Sequence, residues 1–176
     1  MVIFMAKRVI SGVLSATSIE QMRDELLRYQ QSLKNKNELF VRRLAEIGIP
    51  VIDRNIASAK GDSKKSHNTY IKINSFGEYS QAVLVCEGKD LLFIEFGAGI
   101  HYNGNPGGSN HPKGEEMGYT IGSYGKGLGK NDYWVYYTDD GRFLTSHGTE
   151  ATMPVYKAGQ EIIKRIREIA KEVFGG

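Results

Sequence analysis

With 176 residues, 40% of them hydrophobic and 24% charged, the chain is long and apolar enough for one domain over residues 1–176 with its own core. Its 23 basic and 20 acidic side chains leave a net +3, too little and too evenly spread to mark a nucleic-acid footprint. The lone Cys86 excludes an intrachain disulfide framework or thiolate metal cluster and suits a reducing compartment, and the apolar start at residues 2–5 is shorter than a signal-peptide core or a membrane span, so a soluble protein is expected.

Residues 1–16 carry Val9, Ile10, Val13 and Leu14 around Gly12, which fits either a short strand or an arm lying on another surface. Thr17 and Glu20 have the spacing of a capping box, and Ile19, Met22, Leu26, Tyr29 and Leu33 then recur at helical steps. Phe40, Leu44 and Ile47 extend the stripe to Gly48, a suitable C-terminal cap with Pro50 just beyond. From Ile19 to Ile47 such a helix measures roughly 43 Å, more than a core helix needs. One half is therefore expected to face the core and the other a neighbouring subunit. Val51, Ile52 and Ile56 suggest a second, short helix ending near Ala59, and the lysine-rich residues 60–68 read as a solvated loop.

From Thr69 the period changes to two. Residues 70–74, 79–87 and 91–96, separated by turn residues, predict an antiparallel meander whose last member, DLLFIEF, reads as a central strand because apolar side chains occupy both faces. Cys86 reads as a small buried apolar residue. Residues 97–130 hold more than half of the 21 glycines yet keep Ile100, Tyr102, Met117, Tyr119, Ile121 and Tyr124. This predicts an extended glycine-rich excursion that packs against something. Residues 133–138 and 142–145, joined by Asp139, Asp140 and Gly141, form a further hairpin. Residues 153–174 return to a helical period with a broad apolar face. The expected fold is α+β: an antiparallel sheet of about five strands, a long N-terminal helix and a C-terminal helix.

Little in this pattern is catalytic. Residues 122–130 match neither phosphate-loop fingerprint, and no strand runs directly into a helix there. Adjacency of Ser146 and His147 is not triad geometry. His101, His111 and His147, with Glu95, are imidazole and carboxylate groups that suit zinc or iron, which keeps a metal-dependent hydrolase as the alternative function. Glu95 has a second role open to it, pinning the glycine turn through a hydrogen bond or ion pair.

The strand-like LLFIEFGAGIHYN, the Gly/His/Pro-rich insertion, the aromatic strand and TSHGTEATMPVYKAGQEIIKRIREIAKEVF follow one another in an order that resembles the neck proteins of tailed bacteriophages and prophages, known as head-tail joining, tail-completion or minor tail proteins. The resemblance spans residues 17–174 and is most specific over 93–99 and 148–174. It implies a structural virion protein without catalysis or cofactor, a homo-oligomeric ring that is typically a hexamer. Such a ring lies in the neck or proximal tail between the head-closure and tail-terminator proteins, with genomic DNA passing through its lumen and no membrane involved. Before assembly the subunit would reside in the host cytoplasm. Candidate subunit or partner contacts are Phe93, Glu95 and Phe96 at the end of the central strand, His101, Tyr102, Tyr119 and Tyr124 in the excursion, and Trp134 after it. Arg23, Arg28, Lys34, Arg42 and Arg43 are candidates for the channel wall, although a solvated helix face accounts for each of them.

Overall fold

The computed structural model describes residues 10–13, 15–59, 66–77, 79–99, 101–102, 105–106, 111–114, 116–117, 134–138, 140–146 and 148–175. They fold as α+β. Helix α1 (Ala16–Ser58) leads into the hairpin β1 (His67–Phe76) and β2 (Tyr79–Gly88), then a short helix α2 (Leu91–Phe96). Short strands follow: β3 (Ala98–Gly99), β4 (His101–Tyr102), β5 (Asn105–Pro106), β6 (Trp134–Tyr137), β7 (Phe143–Ser146) and β8 (Gly148–Thr149). Helix α3 (Pro154–Phe174) ends the described chain. Two compact units result, one of Met1–Gly48, Tyr70–Val85 and Glu161–Gly176, the other of Ile49–Thr69 and Cys86–Gln160.

The N-terminal helix is both longer and differently capped than its sequence suggests. Ser15, not Thr17, closes the start: its Oγ accepts from Ser18 N–H at 3.2 Å while its carbonyl accepts from Ile19 N–H at 3.0 Å. The helix does not stop at Gly48 but runs through Pro50 to Ser58 as one 43-residue element. A proline inside a helix costs about 3 kcal/mol, because it removes a hydrogen bond and crowds the preceding turn. Here Pro50 is on the exposed side, and burial of Ile52, Ile56 and Ala59 just beyond it offsets the cost.

The largest departure from the sequence pattern is at residues 91–96, which form helix α2 and not a central strand. A short apolar run fits a buried strand or a buried helix equally well by periodicity alone. The deciding features are its ends. Asp90 takes a left-handed conformation (φ 61°, ψ 13°) that starts the turn, and Gly97 (φ 77°) ends it with its N–H on the Phe93 carbonyl, a backbone geometry that favours glycine. Burial then falls on consecutive residues, Ile94, Glu95 and Phe96, while Leu92 is exposed. Without this strand the described residues make four two-stranded sheets, β1–β2, β3–β8, β4–β5 and β6–β7, rather than one of five strands.

The second hairpin forms where the sequence places it. β6 and β7 pair antiparallel from Trp134 opposite Ser146 to Tyr137 opposite Phe143. Its turn is held by Thr138, whose hydroxyl reaches Asp140, and by Arg142, whose Nε donates to Asp140 Oδ2 at 2.8 Å. These bonds, the Arg142 bond foremost, hold the Asp140 carboxyl below its ordinary range. Gly141 (φ 83°) completes the reversal. Val135, Tyr137 and Phe143 stay exposed, and the Tyr137 and Phe143 rings meet edge to face at 5.0 Å.

Candidate functional site

A helix starting at Pro154 lacks an ordinary cap. Proline suits the first helical position, but the residue before it, Met153, carries no side-chain acceptor and is itself left-handed (φ 55°), a conformation costing about 1–3 kcal/mol outside glycine. The missing acceptor arrives from α2. Glu95 Oε2 accepts from Val155 N–H at 2.7 Å, and Oε1 accepts from Tyr156 N–H at 2.9 Å. The Ile94 carbonyl, one residue earlier, accepts from Thr152 N–H at 2.9 Å. A carboxylate at a helix N-terminus satisfies orphan donors and meets the positive end of the helix dipole.

Burial makes this cap costly to disturb. Glu95 is 7% exposed, so its charge is stable only because donors surround it. The third donor is His111, whose Nε2 lies 3.0 Å from Oε1. The other ring nitrogen, Nδ1, accepts from Lys113 N–H at 3.0 Å, which assigns the ring proton to Nε2 and makes His111 the donor to Glu95. Phe96 and Tyr156 flank the imidazole, with centroids at 4.5 and 5.1 Å.

Although His111 belongs to the glycine-rich excursion, it is fixed rather than loose. The segment His111-Pro112-Lys113-Gly114 closes a turn, Gly114 N–H donating to the His111 carbonyl at 2.8 Å, with proline where its fixed φ favours such a turn. In the sequence His111 is a possible metal ligand, with nothing beside it that points to the α3 start. The available signal was Met153-Pro154, a helix opening with no local cap, which requires an acceptor from elsewhere.

The remaining candidates fall in different places. Phe93 is half-buried and Phe96 is buried, so with Glu95 they hold the interior of their own unit. His101 and Tyr102 form β4, paired with Pro106 and Asn105, and Trp134 begins β6; their side chains lie outside the described residues. Tyr119, Tyr124 and His147 lie outside them altogether. Both nitrogens of His111 are engaged, and Glu95 directs its acceptors at three internal donors. As arranged, the pair leaves no ring lone pair to a metal. Among the described residues no group of three or more His, Cys, Asp or Glu side chains could hold a metal ion.

A smaller polar cluster joins the end of α1 to the base of the first hairpin. Asp53 Oδ1 accepts from Thr69 Oγ1 at 2.8 Å and lies 3.2 Å from His67 Nε2; Thr69 Oγ1 is also 3.7 Å from Cys86 Sγ. Burial, more than the nearby Asp53 and Glu95 charges, raises the Cys86 thiol above its ordinary value of 9.0 despite the Thr69 bond. A raised thiol is a poor nucleophile. Cys86 is accordingly expected to react with iodoacetamide at pH 8 more slowly than the same thiol in the unfolded chain. Because the folded value is the higher one, stability is unaffected by this group below pH 9.0 and falls as pH rises past it. Alkylation rates in native and denaturing buffer check the first point.

No helix among the described residues is long and apolar enough to cross a membrane. The chain matches no family model, and neither a curated protein nor a solved structure is significantly similar to it.

Proposed function

We propose that this chain is a structural subunit of the neck of a tailed phage, a head-tail joining or tail-completion protein that forms a ring, typically a hexamer, between the head-closure and tail-terminator proteins. One observation supports the proposal above the others. The two stretches that carry the resemblance, residues 93–99 and 148–174, are fastened to each other: Ala98 pairs with Thr149 and Gly99 with Gly148, and Glu95 caps α3. A residue pattern whose separated halves interlock in this way is under one structural constraint. The glycine-rich stretch 97–130 starts at this clasp and is tied back to it by His111, so under this proposal its remaining residues can touch a partner while its base stays fixed.

Within this proposal the subunit needs no cofactor and carries out no catalysis, DNA passes through the lumen without sequence-specific contacts, and the protein resides in the virion after assembly in the host cytoplasm. Two-stranded hairpins are marginal alone and leave open edges, which a neighbouring strand can pair. Of the groups named for the hydrolase alternative, Glu95 and His111 hold the α3 cap.

Co-expression with the phage's head-closure and tail-terminator proteins, followed by native mass spectrometry, tests the proposal. A closed homo-oligomer bound to one or both neighbours is expected. A strict monomer in their presence contradicts it.

A further inference from the structure

Among its described residues, the unit made of 1–48, 70–85 and 161–176 has a small core. Its described buried residues are Ala45, Gly48, Ile169 and Val173, and residues 16–44 of α1 include none. Yet Ile19, Leu26 and Leu27 on α1 are more than half exposed, as is Ile163 on α3, with Ile166 at 39%. A helix is stabilised in water mainly by burying one face, so two uncovered apolar stripes mark a surface completed by something else.

The charges beside these stripes identify the occupant as a second copy of the chain. On α3 the run Ile163 to Arg167 reads IKRIR, in which every residue that is not isoleucine is basic. On α1 Glu20 and Asp24 share one flank of the Ile19, Leu26 and Leu27 stripe, four residues apart. Asp24 is paired with Arg23, Lys164 with Glu161 and Arg165 with Glu168. Glu20 and Arg167 are exposed and have no ion pair among the described residues. Within one chain the same two helices already meet through an apolar contact flanked by an ion pair, there with the base on α1 and the acid on α3: Phe40 against Phe174 at 5.6 Å beside Arg43 to Glu172 at 3.0 Å.

We infer that the first turns of α1 in one copy dock on the Ile163/Ile166 face of α3 in the next, with Glu20 meeting Arg167 across the contact. Each copy then offers one donor face and one acceptor face. Such a head-to-tail contact closes into a ring when its rotation permits. The inference rests on the ring proposal above and names its interface.

Sedimentation of the purified full chain over a concentration series tests it, with Glu20→Lys, Arg167→Glu, the double variant and Ile163→Ser/Ile166→Ser. All sites are exposed, so helix content by circular dichroism should match wild type. Each single reversal is expected to weaken self-association about tenfold or more by placing like charges together, and the double variant to recover most of it. The serine pair should weaken it further. Oligomers indifferent to the reversals, or a double variant no better than the singles, overturn this interface and leave the ring proposal standing. A wild-type chain that stays monomeric at every concentration and with its neck neighbours overturns both.

Discussion

Replacing Glu95 by alanine is expected to destabilise the protein by about 3–5 kcal/mol, because it removes a charged acceptor and strands buried donors. Three donors lose their partner at once: Val155 N–H, Tyr156 N–H and His111 Nε2–H. Loss of an ordinary N-cap alone costs about 1 kcal/mol; the excess here comes from burial and from the charge. With a chain of this length the melting temperature should fall by roughly 10 °C. Glu95→Gln should fall between alanine and wild type, since it keeps one acceptor and turns an N–H toward a donor. Hydrogen exchange at Val155 and Tyr156 separates this cap from general loosening, as these amides should lose protection first. Glu95→Ala with wild-type stability would remove the clasp from the structural basis of the protein.

The next largest effect is expected at Ile56, which is fully buried. Ile56→Ala should cost about 2–5 kcal/mol, combining lost transfer energy with the cavity left behind. Thirty residues earlier on the same helix, Leu26→Ser should change stability by less than about 0.5 kcal/mol, since Leu26 is 55% exposed. Its effect is expected in association instead. Urea denaturation of both variants checks the contrast: equal costs would mean that α1 is buried evenly along its length, against the observed burial that begins at Ala45.

How much of this could be read from the sequence differs by element. Helix α3 and the β6–β7 hairpin were readable because each combines a clear period with strong local punctuation, Pro154 at one start and Asp140-Gly141 at the other turn. The excess length of α1 was also readable, but not where its burial begins, at Ala45, well past the break in the stripe at Lys36 and Asn37. Nor was its end, because Gly48 and Pro50 give a stop signal that burial of Ile52 and Ile56 overrides. The six residues of α2 look like a strand for a different reason: a run too short to show a period leaves the decision to its ends, and the left-handed Asp90 is not visible in composition. Glu95 stood out as a lone carboxylate in an apolar run, and pinning was among its expected roles. Its partner was not readable, since the α3 amides lie some 60 residues away and backbone donors leave no mark in a sequence. His111 drew attention as a ligand type, whereas its actual role follows from the HPKG turn that presents its ring.

The neck proposal is tested most directly by electron microscopy of the phage particle or of the co-expressed neck assembly, locating this chain by its long α1. The expected result is a closed ring on the tail axis between head and tail, with the glycine-rich stretch 97–130 of each subunit touching a neighbouring protein. Particles that lack this chain at the neck, with the protein found elsewhere as a monomer, would contradict it.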